Sequence, residues 1–493
     1  MTVVVLCNVG SRDVAFDGQF LDRARERGEE IWNLLQRDPA AAERLTFPII
    51  EPSLRELLRS HPEGLDLLAL FGTDQEDPRF RHTDTLFFAQ IIAQVLPGRL
   101  GGKVRRAEAR TIARINPSLY DEAFEAMGRL LRELPCDPRE VEVCYVVLAG
   151  GTPACNTALL LQGVRYYGDR LQTVYLPQGR EPVFLRAGQQ VVRAFQEEAA
   201  VERLRHLDFA NALPLLERLG APPGLIPLVR YAARRLDFDF EAAQEALREA
   251  YRDGDRALRQ FIDERRLRDD LDPLLREGEG RSRLKALLRE LFWNARITYL
   301  HRRYADFLGR VYRLQEAVLR LLVEEIYGLS TDLSPAVREE NLRRWAEGIQ
   351  SNPALREYLE RQLVEGHPLD WRSVSRPTYK AMLAYAVEGG KGADGHPLLP
   401  EERRRRYEAL LRRVNQLDPL VELRHRTIIG HDFHGVSEES LRARYAPKRS
   451  DGRVLTPVEG LEEIMRMLEV DIQADPYRAI AEFAEGHLRQ RAA

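Results

Sequence analysis

The sequence predicts an α/β unit built on a mostly parallel sheet, followed by an all-α remainder. Two observations predict it. Over the first 185 or so residues, short apolar β-branched runs alternate with helix-length patterns. Beyond residue 190 the chain becomes rich in Arg, Glu, Leu and Ala, with apolar residues three and four apart and no convincing strand. The scale agrees: 493 residues with 44% apolar content exceed one ordinary domain and can bury sizeable cores.

The elements follow in order. Val3-Val4-Val5-Leu6 reads as a strand buried on both faces, and Leu67-Leu68-Ala69-Leu70-Phe71 as a second. Val143 to Leu148 and Thr173 to Leu176 give a third and a fourth. Helical patterns lie between them, at Gly18 to Gln36 and Thr85 to Gln94. The longest later pattern, Arg281 to Leu329, predicts one long helix or two with a kink. A charged, Gly-rich break at Glu277-Gly278-Glu279-Gly280 precedes it, and Gly389 to Gly395 reads as a surface loop.

The first three strands end in polar or glycine residues: Asn8-Val9-Gly10-Ser11-Arg12-Asp13, Gly72-Thr73-Asp74-Gln75, and Ala149-Gly150-Gly151-Thr152-Pro153-Ala154-Cys155-Asn156. An open parallel sheet binds ligands at the carboxyl ends of its strands, where strand order reverses. In the third loop, Gly150-Gly151 permits close backbone approach, Thr152 can cap a helix, and Pro153 suits the first helical position. Amides at such a helix start attract an anion. Neither a Walker loop nor a dinucleotide fingerprint is present. The bland alternative is an ordinary strand-to-helix turn. Three polar loops on one sheet edge favour a phosphate-bearing ligand.

Near the other end runs Arg424-His425-Arg426-Thr427-Ile428-Ile429-Gly430-His431, and His434 follows. Three of the ten histidines thus fall within ten residues. Asp418-Pro419 reads as a helix start, with Asp418 as cap, and the helical rhythm continues to His431. On a straight helix Arg424 and His431 share a face, whereas Gly430 can break the helix and re-aim His431. Three readings compete. One is a solvated helix end, where His and Arg are favoured. The second is a metal site on His431 and His434, which lacks a third ligand. The third is metal-free RNA cleavage: imidazole moves a proton near neutral pH, and guanidinium holds charge on phosphate oxygens. That chemistry needs the ribose 2′-hydroxyl.

Composition adds limits. The formal charge is only -3 although 31% of residues are charged, so any nucleic-acid site must be local. Cys7, Cys136, Cys144 and Cys155 form no CxxC and are expected as free thiols in a reducing compartment. Met1-Thr2-Val3 leads directly into a strand-like segment without a basic leader, and no apolar run is long enough to span a bilayer. A soluble cytoplasmic protein is expected.

These residues carry a resemblance. The N-terminal part, through Asn8-Val9-Gly10-Ser11-Arg12-Asp13 and Gly150-Gly151-Thr152-Pro153-x-x-Asn156, resembles a CARF domain, the Rossmann-like sensor of type III CRISPR systems. The C-terminal part resembles a HEPN domain, whose motif is Arg, four to six residues, then His. Arg424 fits with six intervening residues and Arg426 with four. Together they are similar to the CARF–HEPN ancillary ribonucleases of the Csm type. Three segments are expected: a sensing domain over 1–185, a helical connector over 186–280, and a HEPN-like ribonuclease domain over 281–493.

The resemblance implies a homodimer activated by a cyclic oligoadenylate, the four-membered ring favoured over the six-membered, that cleaves single-stranded RNA in antiviral defence without a metal. His431 is implied as the central proton-transfer or 2′-hydroxyl-positioning residue. Arg424 or Arg426 binds the scissile phosphate, with Arg424 slightly favoured because His425 follows it as a polar helper. The implied activator residues are Asn8, Gly10, Ser11, Arg12, Asp13, Gly72, Thr73, Asp74, Gly150, Gly151, Thr152, Pro153 and Asn156. The CARF domain could also cleave its own activator slowly. The alternative is a non-enzymatic ligand-sensing regulator whose helical half binds nucleic acid or a partner protein. Regulators of that kind carry a winged helix with a short β-hairpin, and none is expected after residue 190.

Overall fold

The computed structural model describes residues 2–177, 180–276, 281–449 and 452–492; the Gly-rich break at 277–280 lies outside them. The chain divides into two compact units, Met1–Glu198 and Ala199–Ala493.

In the first unit, β1 (Thr2–Asn8), β2 (Leu67–Asp74), β3 (Ala107–Ala113), β4 (Val141–Val147), β5 (Leu171–Tyr175) and β6 (Val183–Leu185) form one sheet in the order β3-β2-β1-β4-β5-β6. All neighbours are parallel except β5 and β6. The central strand shows why its sequence is a continuous apolar run. Val3, Val5 and Cys7 pack into one core with α1 (Ala24–Arg37) and α2 (Leu86–Arg99). Val4 and Leu6 face the opposite core, with α3 (Tyr120–Arg132) and α4 (Pro153–Tyr167). Alternate side chains of one strand serve two cores. Each fully buried Val or Leu contributes roughly 1.5–3 kcal/mol.

Two expectations need correction here. The helix expected from Gly18 begins at Ala24, because Asp17-Gly18 forms the turn of a small hairpin, Ala15–Phe16 against Gln19–Phe20. Asp17 (φ 51°) and Gly18 (φ 75°) both take the left-handed conformation that such a two-residue turn requires. Strand β3 was not expected at all. Its sequence, Ala-Glu-Ala-Arg-Thr-Ile-Ala, is half exposed at the sheet edge, so it needs no apolar run.

The second unit is mostly helical; among its described residues a tiny hairpin, Leu363–Val364 against His367–Pro368, corrects the expectation of no hairpin after residue 190. Its turn is Glu365-Gly366, both with positive φ. The long pattern from Arg281 is two packed helices, α5 (Arg281–Leu300) and α6 (Tyr304–Tyr327), with Arg302 (φ 58°) in the three-residue link. Helix α6 buries Phe307, Leu308, Val311, Leu314, Gln315, Val318, Leu319 and Leu322 on one stripe. Against it lie α7 (Arg376–Val387), α8 (Glu401–Asn415) and α9 (Asp418–His425). One apolar core runs through this unit from Ala200 to Leu488. Among the described residues, no helix is long and apolar enough to cross a membrane.

Candidate functional site

The sheet reverses its strand order between β1 and β4, which places the loops after Asn8 and Val147 side by side. Thr152 caps α4 as expected, its hydroxyl accepting from the Cys155 amide at 3.1 Å, and Pro153 occupies the first turn. The same hydroxyl donates to the Pro117 carbonyl. Buried Asn8 donates from Nδ2 to Oδ1 of Asn156 at 3.0 Å, tying the end of β1 to the first turn of α4.

The glycines here serve loop-on-loop packing. A Cβ on Gly150 would lie 2.2 Å from Asp13 Oδ2 and 2.4 Å from the Asn8 carbonyl oxygen. One on Gly10 would lie 2.7 Å from the Gly151 nitrogen, and Gly151 itself has φ +79°. Asp13 is fully buried beneath this contact and accepts from the Gly10 amide at 2.5 Å. Burial pushes its carboxyl up to about 7, against the opposing effect of the Gly10 hydrogen bond. Asp13 Oδ1 and Asn8 Oδ1 are buried without a hydrogen-bond partner among the described residues.

The β2 end is committed elsewhere. A Cβ on Gly72 would meet the Thr85 carbonyl oxygen at 2.8 Å, so the glycine admits the start of α2. The Thr73 amide donates to Thr85 Oγ1 at 3.1 Å, and Thr85 Oγ1 donates to the Val9 carbonyl at 2.8 Å. Asp74 pairs with Arg25, which also reaches Asp84 at 3.3 Å. By contrast Ser11 and Arg12 are exposed at the turn after β1, and Gly151 is exposed beside them at the start of α4.

In the helical unit the Arg/His segment is not one helix. Helix α9 ends at His425. Buried Thr427 stops it: its hydroxyl donates to the Arg424 carbonyl at 2.8 Å and accepts from the Ile429 amide at 3.3 Å. The chain then folds back, with Gly430 N donating to the Thr427 carbonyl and His431 N to the His425 carbonyl. Gly430 makes this possible, since a Cβ there would lie 2.4 Å from the Arg424 carbonyl oxygen. The fold-back stacks the His425 and His431 rings, 5.8 Å apart and 10° from parallel. The expected shared helix face of Arg424 and His431 is therefore corrected: the turn, not helical spacing, brings His431 to His425.

Asp418 is not the cap of α9. Its carboxylate accepts from Lys380 at 2.6 Å, Arg376 at 2.9 Å and Gln315 at 2.8 Å. Tyr312, on α6, is the hub that sequence reasoning missed. Arg424 lies over its ring at 4.9 Å and Arg376 at 5.7 Å, while His425 meets it edge-on at 6.3 Å. Burial and then Arg424, His431 and Arg376 hold the His425 imidazole below its ordinary value. Arg426 is exposed, and its carbonyl accepts from the His434 amide at 2.9 Å. The His434 ring meets Asp432 at 3.0 Å. Among the described residues no three His, Cys, Asp or Glu cluster as metal ligands.

A cavity of about 640 Å³ opens beside the motif, with Tyr312, Glu365, Arg376, Lys380, Glu422 and His425 among its lining. Ile428 (74% exposed) and Phe433 (87% exposed) stand out from the segment next to it.

No family model matches the chain. No curated protein matches it. Among solved structures it is similar to Enterococcus italicus Csm6 bound to cyclic hexa-2′-fluoro-hexa-dAMP, with a TM-score of 0.50 and 11% sequence identity over 99% of this chain and 100% of that one. The order of units is the one the CARF–HEPN resemblance implies, and the chain has the Csm6 fold: a parallel-sheet α/β unit followed by a helical one.

Proposed function

We propose that the chain is a cyclic-oligoadenylate-activated endoribonuclease of type III CRISPR defence, acting on single-stranded RNA as a homodimer. One observation carries the catalytic half: His431 is folded back onto His425 next to Arg424, which is held over Tyr312, and Tyr312 and His425 line a cavity. In the proposed reaction the ribose 2′-hydroxyl attacks the adjacent phosphorus and the 5′-oxygen leaves. The products are a 2′,3′-cyclic phosphate and a 5′-hydroxyl. His431 positions the hydroxyl or carries its proton, which is returned to the departing 5′-oxygen, and Arg424 stabilises the charge on the phosphorane oxygens. Arg424 is preferred over Arg426 because its guanidinium is already oriented by an aromatic ring, whereas Arg426 is exposed. His425 supports His431 by stacking. The reaction draws on no metal.

For the sensor, the crevice between β1 and β4 is the proposed activator site. Ser11, Arg12, Gly151 and Asn156 form its reachable rim, above the Asn8, Gly10, Asp13 and Gly150 packing and the capped start of α4 at Thr152 and Pro153. Gly72, Thr73 and Asp74 support this edge from β2. The four-membered ring is the first choice, and the hexa-adenylate analogue on the Csm6 structure makes the six-membered ring the other arm of any test. A gel or fluorescence assay with each ring, labelled RNA and chelator tests the reading. His431→Ala should bind activator and dimerise normally but lose nearly all product. Full activity in that variant would overturn the assignment. Activator-dependent RNA binding without product in the wild type would instead favour the regulator. Linear adenylate formed by His431→Ala would reveal self-cleavage of the activator.

A further inference from the structure

The cavity beside the motif has a charge pattern that does not suit phosphate. Arg376 and Lys380 line it, but both already share the Asp418 carboxylate. Glu365 and Glu422 line it too, and neither makes an ion pair among the described residues. Glu422 acts electrostatically on Lys380 and Glu365 on His425, so the positive groups of the cavity are already offset by carboxylates before Asp418 is considered. A phosphate entering the cavity would meet carboxylates as well as cations. Arg424, over the Tyr312 ring and outside the cavity's lining, is the better phosphate partner.

The walls are those of a pocket for a flat, partly apolar group. Ala381 and Ala384 from α7, Leu411 from α8 and Val421 from α9 supply the apolar surface. Gln362 and Asn415 add amides. A volume of about 640 Å³ exceeds the lower bound of roughly 300 Å³ for small-ligand pockets. Sequence-specific recognition of RNA proceeds by burying splayed bases and bonding their edges. A carboxylate only accepts, so it pairs with the exocyclic amine of adenine, cytosine or guanine. Uracil has no such amine; its one ring donor, N3–H, lies between two carbonyl oxygens that repel a carboxylate.

Glu422 and His425 are three residues apart on α9 and line the same cavity. A base read by Glu422 is therefore held by the same short helix that carries the motif. Resting on the ribonuclease reading above, we infer that this cavity is a nucleobase subsite for the RNA residue flanking the scissile phosphate, and that Glu422 selects a base with an exocyclic amine.

The test measures binding, so that it does not depend on cleavage. Fluorescent 2′-O-methyl oligonucleotides of A, C or U cannot be cut by the 2′-hydroxyl route. Their affinities are measured by anisotropy on the full chain with cyclic oligoadenylate present. The A or C oligomer should bind about tenfold tighter than U. Glu422→Ala should erase that preference, and Glu422→Gln, which keeps an acceptor oxygen, should restore part of it. Ala384→Leu, which fills the cavity from a half-exposed helix position, should weaken the preferred oligomer to the level of U. Equal binding of all three by the wild type, or a preference untouched by both Glu422→Ala and Ala384→Leu, overturns the subsite. Base-selective binding with no cleavage of unmodified RNA would sink the ribonuclease reading and leave the subsite standing.

Discussion

The sheet edge of the first unit and the Arg/His turn of the second are both polar loops at element ends, yet they are built oppositely. At the sheet edge, polar groups turn inward. Asn8 bonds Asn156, Asp13 bonds Gly10, Thr73 bonds Thr85, and Asp74 pairs with Arg25. Its glycines exist so that two loops can touch. At the Arg/His turn the backbone is what is satisfied, through Thr427 and Gly430. The side chains of His431, His425 and Arg426 remain exposed. The difference teaches that a polar loop is not by itself a binding loop. One must ask whether its side chains or its amides do the structural work.

That contrast can be broken from either side. The largest effect belongs to His431→Ala: cleavage should fall by about 10²–10⁴-fold, in an RNA assay, with the melting temperature unchanged. A marked loss of stability instead would make His431 structural. Gly430→Ala comes next. Its Cβ would collide with the Arg424 carbonyl, displace the fold-back and separate the stacked rings. Activity should fall about 100-fold, as expected for a catalytic group moved by an ångström. Gly150→Ala should do the converse. It should destabilise the first unit by about 3 kcal/mol, seen in thermal unfolding, because Asp13 and the Asn8 carbonyl cannot both move away.

The smallest effect is one of pH. Asp13 titrates near 7 in the fold because burial disfavours its charge, against 3.8 as its ordinary value. The folded state therefore holds the proton more tightly than the unfolded chain. Stability from this group is fully present below about pH 4 and is lost as pH rises through about 7. Asp13→Asn should remove that slope, so its melting temperature should gain on the wild type at pH 8 relative to pH 5. An equal difference at both pH values would place the charge elsewhere.

Much of the architecture was legible in the sequence. The β1 run announced a strand covered on both faces, and Thr152-Pro153 announced the start of α4, because these signals are local. The Asp17-Gly18 turn was legible too, since Asp-Gly is a strong hairpin signal, but the apolar rhythm beyond it masked it. Edge strand β3 was not, because an exposed strand needs little apolar patterning. At the candidate site the residues were visible and their geometry was not. Thr427 looked like a helical position until its hydroxyl was seen to compete for the Arg424 carbonyl. Tyr312 could not be linked to Arg424 at all, because their contact joins α6 to α9 across more than a hundred residues.

In the proposed function the turn at His431 is a catalytic centre governed by the sheet edge. The most direct measurement follows a fluorescent single-stranded RNA in chelator, with and without cyclic tetra- or hexa-adenylate. Cleavage is expected only with activator, with products ending in a 2′,3′-cyclic phosphate, and about 10²–10⁴-fold less from His431→Ala. RNA that stays intact while activator is bound, or cleavage that chelator abolishes, would contradict the proposed function.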